Sequence, residues 1–185
     1  VNGGECEPYL SSDERIMRDR ADEVVDGLRI VMYAIGAREA LVGIEDNKPQ
    51  AIAAMRVAAA AFGNVHVRPV PARYPMGSDK QLIQTLTGKE VPASKRSTDL
   101  GVQCFNVATA YTAWRAIAHG EPVVSRLVTI TGNVHAPRNF EVLIGTPKSP
   151  QGNAQIEQIL AQLRDRQIAR EQVETYERQE EAAVK

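Results

Sequence analysis

The tightest constraint in this 185-residue chain lies between residues 40 and 70. Ala40-Leu-Val-Gly-Ile44 is a short apolar run suited to a buried strand, and Val65-His-Val-Arg-Pro-Val70 alternates as a second strand. Between them, Asp46-Asn47-Lys48-Pro49 carries the cap and early-proline chemistry that starts a helix, predicted over Gln50 to Phe62 and stopped by Gly63-Asn64. Two short strands joined through one helix by brief connections form a parallel crossover. An α/β fold with a parallel sheet follows.

The flanking sequence supplies further helices. Glu14 to Ala34 is amphipathic, with Ile16, Met17, Val24, Val25, Leu28, Val31 and Met32 near helical spacing, and predicts one long or one broken helix ending near Gly36. Ser78 with Gln81 makes a candidate capping box for a helix over Lys80 to Leu86, which Gly88 ends. Residues 89–101 read as loop. Asn106 to His119 predicts a helix with Val107, Ala110, Tyr111, Trp114 and Ile117 on its apolar side, closed by Gly120, with Trp114 as a core residue. From Pro122 the texture turns to β-branched alternation over Val123 to Thr131, followed by a turn and a second run, Phe140 to Ile144, which together predict a small separate β module. Gln151 to Lys185 is rich in Gln, Glu, Arg and Ala and predicts a solvated helical tail, with a docking or coiled-coil helix as the alternative.

Composition excludes several classes. Hydrophobic residues at 43% and charged residues at 24% are globular values, so the body should fold. A net charge of -1 gives no overall attraction to nucleic acid, which is not an expected partner. Cys6 and Cys104 are too few for a disulfide framework and share no Cys-x-x-Cys spacing, which fits a reducing compartment and no zinc site. No apolar run approaches the length of a membrane-spanning helix. The opening Val1-Asn2-Gly3-Gly4 looks like a strand end entering a loop, and further sequence upstream is expected.

Three segments can carry chemistry. Asn2-Gly-Gly-Glu-Cys-Glu-Pro8 gathers two carboxylates, a thiol and an amide around consecutive glycines that let backbone approach a ligand, though an ordinary surface loop has the same texture. Tyr74-Pro-Met-Gly-Ser-Asp-Lys-Gln-Leu82 is a glycine-led helix start whose free amides favour an anion, or a simple cap. Phe105-Asn106-Val-Ala-Thr109 is another, where Asn106 and Thr109 can meet a phosphate or serve as caps. Dinucleotide-fingerprint, Walker and hydrolase-elbow patterns are missing, and no catalytic residue or metal ligand set is predicted.

Taken in order with Gly43-Ile-Glu-Asp-Asn-Lys-Pro49 and Leu86-Thr-Gly-Lys-Glu-Val-Pro92, these segments closely resemble the C subunit of the Rnf electron-transport complex over roughly residues 1–147. That family is similar in turn to the flavoprotein subunit of respiratory complex I. The resemblance implies a Rossmann-like FMN/NADH-binding domain over residues 1–121, incomplete at its N-terminus, part of a β-grasp module over 122–147, and a charged helical tail over 148–185. It implies FMN and NAD(H) as cofactors, with Asn2, Gly4 and Glu5 beside the flavin and Glu7 near the nicotinamide nucleotide. Tyr74, Gly77, Ser78 and Asp79 correspond to the turn and helix start beside the same pocket, and Asn106 and Thr109 to the motif holding the FMN phosphate. Complex I has two adjacent acids where this chain has Ser78-Asp79, so the resemblance implies one acidic contact there and not two.

For the whole protein, the resemblance implies an electron-transfer subunit passing electrons between NAD(H) and ferredoxin, with ion translocation by membrane partners and a peripheral place on the cytoplasmic face of the cell membrane. Other Rnf subunits and ferredoxin are the expected partners. The family's glycine-rich flavin loop, expected upstream of Asn2, and its cysteine motifs for 4Fe-4S clusters do not occur here, so this chain is expected to ligate no cluster. An internal deletion or an incomplete gene would give such a chain. A scaffold that keeps the fold without its cofactors is the alternative.

Overall fold

The computed structural model describes residues 1–132, 134 and 136–146. Strands β1 (Asn2–Gly3), β2 (Ala40–Glu45) and β3 (Val65–Val70) lie side by side in that order in a parallel sheet. Ala40 to Glu45 pair in register with Val65 to Val70, and β1 meets β2 with Asn2 opposite Gly43 and Gly3 opposite Ile44. The crossover helix, Pro49–Ala59, begins on the proline, whose missing N–H has no intrahelical partner to lose in a first turn. Its N-cap is Lys48, and no side chain caps it; Asp46 instead accepts a hydrogen bond from the Ala72 amide at 3.1 Å.

In chain order the helices are α1 (Ser12–Asp19), α2 (Ala21–Ile35), α3 (Pro49–Ala59), α4 (Asp79–Thr87) and α5 (Val107–His119). Both sheet faces are covered, which is why β2 is a nearly unbroken apolar run rather than an alternating one. Val42 and Ile44 form the main core with Met17, Val24, Met55 and Val107, all fully buried. Gly43 points the other way, where a Cβ would sit 2.6 Å from Leu82 Cδ1, so α4 lies directly on the backbone of β2. Helices α2 and α5 meet as closely, since a Cβ on Gly27 would overlap the Ala110 carbonyl oxygen.

Of the two readings of Glu14 to Ala34, one long or one broken helix, the structure has the broken one: it parts at Arg20, whose backbone leaves the helical region at φ -136° and ψ 36°. The break falls in the polar run Arg18-Asp19-Arg20, where no buried side chain is lost to it. Ser78 stands at the N-cap of α4 but makes no side-chain cap bond, so the expected capping box does not form, whereas Gly88 and Gly120 end α4 and α5 in the left-handed conformation as anticipated. A short 3-10 turn, Ser97–Leu100, interrupts the predicted loop. Trp114 is half-buried rather than core, stacked on Tyr111 at 6.1 Å and edge-on to His119 at 4.7 Å, and Ile117 is exposed, so the apolar side of α5 ends before it.

Strands β4 (Ser125–Ile130) and β5 (Arg138–Leu143) form an antiparallel hairpin. The chain divides into two units, Val1–Gly132 with Ala136–Ile144, and Asn133–His135 with Gly145–Lys185. The hairpin belongs to the first. Asn139 donates to the Ser11 carbonyl at 3.1 Å, and Ser11 N–H donates to Thr129 Oγ1 at 3.2 Å, which ties the hairpin to the start of α1. Arg115 on α5 reaches Glu121 and Glu141, both at 2.6 Å. The helical tail predicted for residues 148–185 lies outside the described residues. No described helix is long and apolar enough to cross a membrane.

Candidate functional site

The three parallel strands end on one side of the sheet, and a cavity of about 250 Å³ opens there. Its lining comes from all three exits: Glu5, Cys6 and Glu7 after β1; Glu45 and Lys48 around the end of β2; Arg73 and Tyr74 after β3. Ligands of open α/β sheets bind outside the carboxyl ends of the strands, because loops diverge there while the strands hold their bases rigid. Pockets that enclose a whole small ligand run to ~300–1,000 Å³. This one can seat the edge of a ring system or one end of a nucleotide.

The loop after β1 is held from several distant segments. Asn2 donates through Nδ2 to the Gly77 carbonyl at 2.8 Å and accepts through Oδ1 from the Gly4 amide at 3.0 Å, so one side chain sets both the turn and its neighbour. Gly77 lies so close that a Cβ on it would be 2.8 Å from the Gly4 carbonyl oxygen and 2.6 Å from Cys6 Sγ. On the other flank the Asn2 amide donates to the Phe105 carbonyl at 2.6 Å, and Asn2 bridges to Asn106. Gly4 and Gly77 therefore stand where two backbones approach closely, whereas a Cβ on Gly3 would meet the Met17 side chain at 2.7 Å.

Charge is concentrated beside this loop. The Glu5 side chain is 5% exposed, and both of its oxygens are engaged: Oε2 accepts from Lys48 Nζ at 2.9 Å and Oε1 from the Asp13 amide at 3.0 Å. Lys48 also reaches Glu14 Oε2 at 2.9 Å. Burial pulls the Lys48 pKa down, but the two carboxylates outweigh it and leave the ammonium above its ordinary value. Glu45, 7% exposed at the end of β2, is pushed up by burial against the opposing pull of Lys48. Burial raises the Asp13 carboxyl to about 6 in spite of the hydrogen bond it accepts from Asn106 Nδ2 at 2.6 Å. Asn106 Oδ1 in turn accepts from the Ala108 amide at 2.8 Å, which makes it the side-chain cap of α5.

The residues singled out in the sequence thus fall into groups. Glu5, Glu7 and Tyr74 line the cavity, with Tyr74 80% exposed. Asn2, Gly4, Gly77 and Asn106 hold the loop in place. Ser78 and Asp79 stand at the start of α4, and Thr109 is exposed in the first turn of α5. Sequence reasoning misses Lys48, Asp13, Glu14 and Tyr9. Tyr9 has φ 69°, rare for an aromatic residue, and its exposed ring also borders the cavity. Only that backbone angle and the long-range partners mark these four, and neither is visible along the chain. Among the described residues no group of three or more His, Cys, Asp or Glu side chains is arranged to hold a metal ion.

Residues 1–115 match the family model of the Nuo51 FMN-binding domain, which contains every segment just described as meeting at the loop. The chain belongs to this family. It is similar to proteins named as the C subunit of an ion-translocating oxidoreductase complex: 49% identical over 148 residues to that of Salmonella arizonae, 48% over 153 residues to that of Rhodobacter capsulatus and 47% over 148 residues to that of Pasteurella multocida. Each alignment covers 80% of this chain but only 22%, 29% and 18% of the respective relative, so the chain spans less than a third of their length. The resemblance read from the four ordered motifs is borne out, as is the parallel α/β character of the Nuo51-type domain.

Proposed function

We propose that this chain contributes the loop side of an FMN and NAD(H) site in an electron-transfer subunit of an ion-translocating oxidoreductase complex. The observation that carries it is the convergence of three separated motifs, around Lys48, Gly77 and Phe105-Asn106, on the Asn2–Glu7 loop at the carboxyl ends of the strands. The residues fit the flavin in kind. Close packing of Gly4 on Gly77 fixes the course of the loop beside the site, an exposed aromatic ring stands at the rim of the cavity, and carboxylates suit neutral hydroxyl and amide donors. When bound, FMN supplies hydride acceptance from NADH and onward electron release.

The chain's own part is placement. Asn2, Gly4 and Glu5 lie beside the flavin, and their positions are fixed in advance by Gly77, Lys48 and the Asp13 amide. Glu7 accepts from the nucleotide, and Tyr74 covers an edge of the rings. Gly77, Ser78 and Asp79 form the turn beside them. Thr109 offers its hydroxyl to the phosphate while Asn106 sets the first turn of α5. No general acid or base is needed of the chain: Asn2, Gly4, Glu5 and Glu7 would hold and align the two cofactors, which would supply the hydride chemistry.

In the whole protein, electrons would pass between NAD(H) and ferredoxin, through 4Fe-4S clusters that lie outside this chain, on the cytoplasmic face of the membrane. Partner subunits of the complex would translocate the ion. The hairpin of β4 and β5 would be the start of the β-grasp module, and residues 148–185 a helical extension. Titration of the 185-residue chain into FMN tests the proposal: saturable quenching of flavin fluorescence, then bleaching of the visible flavin band by NADH, is expected. A folded chain that does neither sinks it.

A second reading is favoured by one observation. The polar atoms of Asn2, Glu5 and Asn106 are all engaged within the protein, as they would be in a scaffold that keeps the fold without cofactors. The same titration separates the two.

A further inference from the structure

Among the described residues, Lys48 is the one ammonium set between four carboxylates at the end of the sheet. It holds Glu5 and Glu14 directly at 2.9 Å, and it acts electrostatically on Glu45 and Asp13. Its side chain is 13% exposed and that of Glu5 5%, so water can replace little of this pairing. The contacts continue in relay. Glu5, fixed through Oε2 by Lys48, presents Oε1 to the Asp13 amide at the start of α1, and Asp13 holds the Asn106 side-chain amide at 2.6 Å. Asn106 then caps α5 through Ala108. Three stretches of chain, residues 5–13, Lys48 and Asn106, are thus set relative to one another by a row of bonds that is charge-assisted up to Asn106.

We propose that Lys48 is a positioning residue for the cofactor site: by neutralising Glu5 and anchoring it to α1, it fixes the loop and the Asn106 turn before the flavin arrives. The proposal rests on the FMN and NAD(H) reading above. Without the ammonium, the nearly inaccessible Glu5 and Glu45 carboxylates would face each other uncompensated. Glu5 would then swing toward water, releasing the Asp13 amide and with it the seat of Asn106. Arginine keeps the charge and can bridge two carboxylates, whereas methionine keeps only the length.

The test combines FMN titration with nuclear magnetic resonance of the 185-residue chain, wild type, K48M and K48R. The amide of Asp13 and the side-chain amide of Asn106 report the relay without any ligand. Expected are saturable FMN binding by the wild type, at least about tenfold weaker binding by K48M, equivalent to ~1.4 kcal/mol, and recovery in K48R. Both reporter resonances should move in K48M and return in K48R. If the wild type binds FMN and folded K48M binds it equally with both resonances in place, the positioning role is wrong while the flavin reading stands. If the wild type itself ignores FMN, the flavin reading fails and the role falls with it, wherever the resonances lie. Should K48M not fold, E14Q removes one of the two anchors and is expected to weaken FMN binding measurably; unchanged affinity in that variant overturns the proposal.

Discussion

The two ends of β2 open onto cavities of opposite character. At the amino end, where Ala40 and Leu41 begin the strand, a space of about 720 Å³ is lined by apolar side chains including Leu28, Met32, Leu82 and Phe105. At the carboxyl end the space is about 250 Å³, and Glu5, Glu7, Glu45 and Lys48 border it. Burial acts on ionisable groups at both ends, raising the Cys104 thiol at the first, and raising Asp13 and Glu45 at the second. What sets the carboxyl end apart is a buried ion pair, Glu5 with Lys48, held at fixed distance. Volume measures how much side chain is lacking, whereas a binding site needs polar groups already oriented, and by that measure the smaller cavity is the candidate site.

The largest expected effect separates the ends by stability. Leu82→Ala removes a fully buried side chain that packs on Gly43 and borders the apolar space, and should lower unfolding free energy by about 2–5 kcal/mol in urea titration. FMN affinity in the folded variant should be essentially unchanged; a parallel loss would break the distinction between the ends. Gly77→Ala acts at the other end, setting a methyl against the Gly4 carbonyl and Cys6 Sγ. It should weaken FMN binding on the order of a hundredfold, ~2.7 kcal/mol, as read by fluorescence quenching, with a smaller effect on stability.

Asp13 gives the comparison a pH dependence. With its folded pKa raised from 3.8 to about 6, the native state holds the extra proton. Its relative stabilisation is complete below about pH 3.8 and is lost as pH rises through 6. Asp13→Asn keeps an acceptor for Asn106 and removes the titration, so it should stabilise the chain by about 1–2 kcal/mol at pH 8, allowing for partial solvent screening, with little change at pH 4. Thermal melts at the two pH values would show it, and an equal shift at both would argue against a titrating Asp13. The smallest effect is expected from Asn106→Ala, about 1 kcal/mol for the lost cap of α5, measured in the same melts.

Much of the frame was legible along the chain, because a strand-helix-strand unit declares itself through local periodicity and through Pro49 and Gly63 at its joints. The glycines and acids of Asn2–Glu7 likewise marked a loop able to meet a ligand. What holds that loop was not legible. Lys48 carried only the local signal of a helix start, while its partner Glu5 lies 43 positions away, and Asp13 meets Asn106 across 93. Two of the predicted helix caps show the same limit: Asn106 caps because Asp13 takes its amide and turns its oxygen toward Ala108, whereas Ser78 in an equally suitable place makes no cap bond. A broken helix was among the readings, but the place of the break at Arg20 was not legible, because the helical spacing of Met17 and Val24 continues unchanged across it.

The most direct measurement is FMN titration of the 185-residue chain followed by anaerobic NADH addition, with Glu7→Gln in parallel. The wild type should quench flavin fluorescence saturably and bleach on NADH, and Glu7→Gln should keep the flavin affinity while requiring more NADH to bleach it. A folded wild-type chain that leaves flavin fluorescence untouched would contradict the assignment of the carboxyl-end cavity to FMN.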